Sequence, residues 1–209
     1  MTWRLTIPFR HIINQNGKEE AIQLTENSDT YKFNPIWSPD GKYLLWGDKM
    51  LRLQLMNVAS KEVTTIAQAE AWEMRDYSWS PDSKWISYTL PQSGSVSKVM
   101  VYNIVNKSTN SITDDWYDAS SPAFSSDGKY LFFVSGRDFN PIYSRTEWNH
   151  AYQDMDKIYF VSLEKSTPSP FAPENDEVKV EEERADTKEK TDKKEEAEKR
   201  GILSFANQS

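Results

Sequence analysis

Three stretches of this chain follow one pattern, and it constrains the fold more than any other feature. They are Asn34-Pro35-Ile36-Trp37-Ser38-Pro39-Asp40-Gly41-Lys42-Tyr43-Leu44-Leu45, Asp76-Tyr77-Ser78-Trp79-Ser80-Pro81-Asp82-Ser83-Lys84-Trp85-Ile86-Ser87 and Ser121-Pro122-Ala123-Phe124-Ser125-Ser126-Asp127-Gly128-Lys129-Tyr130-Leu131-Phe132. Their central aromatics, Trp37, Trp79 and Phe124, lie 42 and 45 residues apart. A period in the forties built from short apolar strands marks a β-propeller, one four-stranded sheet per repeat. The expected fold is therefore all-β: an incomplete propeller of about three and a half four-stranded antiparallel blades.

Each copy has a physical reading. An apolar strand ends in Trp or Phe, a turn reverses the chain, and a second strand follows at once. Pro39 presets φ, Asp40 is able to bond its own backbone, and Gly41 accepts a positive φ without steric cost. The second copy has Ser83 at the glycine position, where a left-handed backbone costs roughly 1 kcal/mol. In the third copy Ser126 replaces the proline, which is expected to loosen the turn.

The rest of each blade follows from alternation. Leu51–Leu55, Val99–Ile104 and Lys157–Val161 read as third strands. Weaker fourth strands are expected at Val63–Ile66, Thr109–Ile112 and Ser169–Ala172, where Pro170 within the last and Pro168 just before it restrict it to a sheet edge. Near the start, Asn16-Gly17 is a tight-turn dipeptide between His11–Asn14 and Ala21–Leu24. The expected divisions are a partial blade over 1–30, blades over 31–75, 76–118 and 119–173, a charged linker over 174–200 and a tail over 201–209. The third blade carries a long insertion at 136–156. Because propellers close with four to eight blades, these would leave two sheet faces uncovered. The chain is thus expected to be a piece of a longer protein, the alternative being a small protein that completes its ring by oligomerising.

Composition narrows the partners. Of 209 residues, 8 are Trp, 10 Tyr and 9 Phe, and none is Cys. The segment from Glu174 to Arg200 holds 12 acidic and 8 basic residues with only two Val as larger apolar groups, so it is a solvated linker or a lone charged helix. A net charge of −7, with no basic stripe, argues against a nucleic-acid partner. No apolar run approaches the length of a membrane span. Residues Met1–Ile7 lack the charged and apolar regions of a signal peptide.

The Trp-Ser-Pro-Asp-Gly-Lys pattern resembles the repeat of TolB-type and tricorn-protease propellers. A more specific stretch runs from Tyr130-Leu131-Phe132-Phe133-Val134-Ser135-Gly136-Arg137-Asp138-Phe139-Asn140-Pro141 through Thr146-Glu147-Trp148-Asn149-His150-Ala151-Tyr152 to Ser166-Thr167-Pro168-Ser169-Pro170-Phe171-Ala172-Pro173. It is similar to the N-terminal propeller of bacterial tricorn-like serine peptidases, as is Thr30–Pro35 ahead of the first repeat. The resemblance implies a non-catalytic propeller that scaffolds or gates peptides for a serine nucleophile elsewhere in a longer enzyme. It implies peptides, or the rest of the parent protease, as partners, an oligomer of the full-length protein being allowed. It implies no cofactor, and a cytoplasmic location unless a missing leader exports the protein. A TolB-like protein-binding module and the propeller of a prolyl-oligopeptidase-type enzyme are the rival readings.

No catalytic residue is assigned. There is no Gly-x-Ser-x-Gly elbow, and the histidines are His11 and His150. Ser135 and Ser144 are near His150 in sequence, but hydrolysis needs a nucleophile, a base, its orienter and an oxyanion hole together. Asp114, Asp115 and Asp118, and likewise Asp154 and Asp156, read as turn residues rather than metal ligands. Topology points to one binding face, because blade-to-blade loops share an end with loops joining second and third strands. That end would gather Trp72, Trp116, Tyr117, Arg137, Arg145 and Trp148, with Phe139, Tyr143 and Tyr152 beside them. These side chains either contact extended peptides or staple the insertion to its neighbours.

Overall fold

The computed structural model describes residues 11–13, 18, 20–25, 30–94, 96–139, 141–143, 150–152 and 154–173, of which 142–143 and 150–152 by backbone alone. The charged segment 174–200, the tail 201–209 and the Asn16-Gly17 turn lie outside the described residues. The chain divides into two compact units, 1–168 and 169–209.

The first unit is built of short strands. A two-stranded hairpin pairs β1 (His11–Ile12) with β2 (Ile22–Gln23). The first blade is β3 (Lys32–Trp37), β4 (Tyr43–Asp48), β5 (Arg52–Asn57) and β6 (Val63–Gln68), paired in chain order. The second is β7 (Tyr77–Trp79), β8 (Trp85–Leu90), β9 (Lys98–Asn103) and β10 (Ser108–Ser111), again in order. The third pairs β11 (Ala119–Phe124), β12 (Tyr130–Gly136) and β15 (Asp156–Ser162). Between β12 and β15 the insertion forms its own hairpin, β13 (Pro141–Tyr143) with β14 (His150–Tyr152), in the register Tyr143↔His150. All pairings are antiparallel.

The expected fourth strand at Ser169–Ala172 is a turn instead. In the second unit, the Ala172 N–H donates to Ser169 O at 3.0 Å and the Phe171 N–H to the Ser169 hydroxyl at 3.2 Å. Pro168 and Pro170 each lack the donor a ladder needs, so Ser169 closes a local turn where the sequence pattern suggested an edge strand.

The sheets stack face to face. On one side of the first blade, Leu44, Trp46 and Met56 enclose Leu24 with Ile12 beside them. On its other side Leu45, Leu53 and Leu55 meet Ile86, Tyr88 and Tyr102 of the second blade, with Met74 from the connecting loop. Val99 and Val101 leave the far side of the second blade to meet Ala119, Leu131 and Phe133 of the third. Two-sided packing erases the period of two in burial: β4 is buried from Leu44 through Asp48, and β8 from Ile86 through Thr89. In β12 the alternation returns, with Leu131, Phe133 and Ser135 buried and Phe132 exposed. The outer face of the third blade therefore stays open, carrying Phe132 and Phe160 rings 6.0 Å apart and Ile158 at 76% exposure.

The repeated turn has a serine at its hub. The Ser38 hydroxyl donates to Asp40 Oδ1 at 2.7 Å and accepts the Tyr43 N–H at 2.9 Å, while Asp40 Oδ1 accepts the Lys42 N–H at 3.1 Å. Ser80 with Asp82, and Ser125 with Asp127, reproduce the arrangement, with hydroxyl–carboxylate distances of 2.6 Å in both. The third turn is thus no looser for having Ser126 in place of proline; the hydroxyl, not the ring, holds it. Gly41, Ser83 and Gly128 have φ of 72°, 60° and 70°. Ser83 accepts that strained backbone, and its hydroxyl takes the Asp40 N–H of the preceding blade at 3.1 Å.

Prolines shape the first strands. Asn34-Pro35 in β3 and Ser121-Pro122 in β11 each sit in a bulge, with positive φ at Asn34 and Ser121. The second blade has Tyr77 where the others have proline, and through Tyr77 and Ser78 the strand bonds one neighbouring blade on each side. The Tyr77 hydroxyl lies 2.7 Å from Asn34 O and 3.0 Å from Phe33 O, and accepts the Gly47 N–H at 3.1 Å. Ser78, pointing to the opposite face as strand alternation requires, donates to Pro122 O at 3.0 Å.

Two predictions follow from these contacts. At Gly47 an added Cβ would collide with Met74 O, whereas at Gly41 it meets nothing. Gly47→Ala should therefore cost more than the ~1 kcal/mol that left-handed strain imposes on Gly41→Ala, read as the larger fall in urea midpoint. Hydrogen bonds from the Ser hydroxyl and the Lys amide hold Asp40 and Asp127 below the usual carboxylate range. At Asp82 burial pushes upward, but the bonds from Ser80 and the Lys84 amide outweigh it. A depressed carboxylate stabilises above its unfolded pKa, about 3.9, and loses that contribution as pH falls through the folded value. Asp82→Asn should flatten the decline of the urea midpoint between about pH 5 and pH 3; an unchanged slope would show the turn carboxylates to be uninvolved.

Candidate functional site

Three segments share the end of the sheets opposite the Ser-hub turns: residues 69–76 between β6 and β7, 112–118 between β10 and β11, and the insertion after β12. Hydrogen bonds and an ion pair tie the second of these to the loop between β8 and β9 and the start of β9. Asp118 Oδ1 accepts the Ser97 N–H at 2.8 Å, the Ala119 N–H donates to Ser97 O at 3.1 Å, and Asp115 pairs with Lys98. The Ser135 hydroxyl then donates to Asp118 O at 2.7 Å and accepts from Arg137 Nε at 3.0 Å.

Arg137 is the organiser of this end. Its guanidinium stands 5.3 Å from the Tyr117 ring, 5.0 Å from Tyr159 and 5.7 Å from Phe133. A planar cation among three ring faces gains cation–π attraction while its remaining N–H groups stay wet. Tyr117 and Arg137, two of the six residues singled out, thus hold the 112–118 loop onto the third blade.

Trp72 and Trp116 differ. They are 73% and 81% exposed, and each occupies the blade-to-blade loop one repeat from the other, 44 residues apart. Around Trp72, Arg75 lies 4.7 Å over the Phe33 ring and pairs with Glu73 at 2.5 Å, while Met74 is buried beneath. Beside Trp116, its own N–H donates to Asp114 Oδ1 at 3.3 Å. The loops are anchored and their indoles face solvent. Phe139, 68% exposed, adds to the same end. Arg145 and Trp148 lie outside the described residues, as do the side chains of Tyr143, His150 and Tyr152.

Ser135 and the aspartates of the 112–118 loop are occupied. Ser135 is 1% exposed and its hydroxyl is spent between Asp118 O and Arg137. Asp118, Asp114 and Asp115 serve a backbone amide, a turn and an ion pair respectively. Among the described residues no three Asp, Glu or His side chains converge in a metal-binding cluster. Sequence reasoning found the loops but missed the role of Ser135 and Arg137, which sit in strand β12 and just beyond it without any motif to announce them.

Comparison with known proteins points one way. Residues 10–204 match the family model described as the tricorn protease second beta propeller domain. A tricorn-like protease C-terminal subunit of Sulfurisphaera tokodaii is 34% identical over 64% of this chain and 16% of its own length. Tricorn protease homolog 1 of Streptomyces coelicolor is 30% identical over 66% of this chain and 13% of its own. The crystal structure of the tricorn protease superposes on 72% of the chain with a TM-score of 0.68 at 20% identity, covering 15% of that chain. This chain spans about a sixth or less of the relatives it matches. The match is to the second propeller, not to the N-terminal one suggested by the residues around the third repeat.

Arg137→Ala should lower stability by about 1–2 kcal/mol through the lost ring and Ser135 contacts, seen as a reduced urea midpoint. Arg137→Lys should recover less than half of it, since an ammonium neither stacks nor reproduces the Nε bond.

Proposed function

This chain belongs to the family of tricorn protease second β-propeller domains, and on that footing we propose that it is a non-catalytic part of a larger peptidase, presenting peptides to a catalytic site carried elsewhere. The observation that supports this is the pair of solvent-facing indoles, Trp72 and Trp116, set in successive blade-to-blade loops at one end. Burying neither in its own fold, the chain keeps two large apolar surfaces available. Indole rings give contact area at little entropic cost and tolerate varied side chains, which suits an extended peptide of changing sequence.

The same end separates two duties. Arg137 and Tyr117 fix the loops; Trp72 and Trp116 meet the substrate. A rigid scaffold carrying exposed loop residues is the usual division between support and recognition. The open face of the third blade, with Phe132, Ile158 and Phe160, is where the following blade of the longer enzyme would pack.

In the intact peptidase that carries this chain, Trp72→Ala with Trp116→Ala should raise KM for peptides about tenfold, as expected for two aromatic contacts of roughly 0.5–1.5 kcal/mol each. The catalytic constant should stay near its wild-type value, since contact remote from the reacting bond is uniform binding. Unchanged KM together with a lowered melting temperature would make these indoles structural and defeat the proposal.

A further inference from the structure

The two blade junctions offer an internal comparison. Between the first and second blades, Trp79 lies 6.3 Å from Tyr43 and the Ser83 hydroxyl bonds the Asp40 amide, so a ring pair and a hydrogen bond cross the junction beside the turns. Between the second and third, the same two positions hold Phe124 for Trp79 and Gly128 for Ser83. Both replacements remove volume. A Cβ built at Gly128 would approach only Pro81 Cδ, at 3.9 Å. A cavity of about 480 Å³ opens there.

Its walls are Trp85, Ile112, Phe124 and Leu163, from both blades. Its polar rim includes the carboxylates of Asp82, Asp127 and Glu164. Hydrogen bonds from their own turns hold the first two below the usual carboxylate range, at Asp82 against the upward push of burial. Lys129 comes within 3.9 Å of Asp127 only as an exposed partner, a pairing that water and salt largely screen. An aromatic-floored pocket of this size with an anionic rim is suited to an apolar body ending in a positive charge. Both walls belong to blades present in this chain, so the cavity does not depend on further blades, and it sits at the end of the sheets opposite Trp72 and Trp116.

We propose that the junction between the second and third blades binds a cationic group carried on an apolar chain, an ammonium or guanidinium whose charge meets Asp82, Asp127 and Glu164 while its body lies on Trp85 and Phe124. Such a group comes either as a free amine or as the basic side chain of a peptide.

Isothermal titration of the 209-residue chain tests this with hexylammonium chloride, its neutral match 1-hexanol, and N-acetyl-arginine amide. Hexylammonium should bind saturably, and hexanol at least about fivefold more weakly. Phe124→Trp, which gives this junction the larger ring of the first one, should weaken binding by about tenfold or more and raise the urea midpoint. Gly128→Ser places a hydroxymethyl group where Ser83 already tolerates the same backbone, and should weaken binding even if Phe124→Trp does not fold. Tighter binding of the arginine amide than of hexylammonium would support the peptide source, and the reverse order the free amine. Absence of saturable heat, equal binding of hexanol, or wild-type affinity in both filled variants would overturn the assignment.

Discussion

A sheet that is apolar on both faces cannot stand in water, and everything else in this molecule follows from having to cover each face. Leu44 and Trp46 require one neighbour, Leu45 and Gly47 another, along a single strand. The central blades therefore lose their alternation in burial, while β12 recovers it, with Phe132 exposed on its outer side. Burial of this kind is non-directional and yields roughly 25 cal/mol per Å². It explains why sheets stack but not why they stack at one spacing and tilt. Directional bonds supply that: Tyr77 reaches one neighbour, Ser78 the other, and Ser83 links successive turns.

The two ends of the sheets use different physics. At one, Ser-hub turns repeat nearly unchanged and carry ionised aspartates in fixed positions. At the other, loop lengths vary, an arginine is held among rings, and indoles project into solvent. Short turns closed by three hydrogen bonds leave little room for variation; longer loops without such closure can differ in length and content at modest entropic cost. The cavity beside Gly128 lies at the regular end, where Phe124 and Gly128 stand in the places of Trp79 and Ser83.

Much of this was legible beforehand. The register of aromatic, turn and lysine in three copies located every first and second strand, and alternation located the third strands. Ser83 was readable as left-handed because its position aligns with two glycines. The turn hub was not, since a serine beside proline and aspartate looks like one more turn former until its hydroxyl is seen between a carboxylate and an amide. The strand expected at Ser169–Ala172 failed where proline chemistry should have weighed more than the spacing of the repeat. For the candidate face, sequence grouped Trp72, Trp116, Tyr117 and Arg137 by loop topology alone. It could not divide them, because exposure and ring stacking depend on which sheet lies behind each loop.

Tyr77 in place of a proline has an evolutionary corollary. A repeat that arose by duplication would at first be interchangeable with its siblings, each copy fitting between any two others. Once one copy lends a phenol to the kinked strand on its left and a hydroxyl to the one on its right, that freedom is gone. In nearest-neighbour terms the coupling is no longer uniform along the array. Swapping or permuting blades would strand the Gly47 amide and the Asn34 carbonyl, so the copies have become a fixed sequence of specialised parts rather than a stack of equivalents.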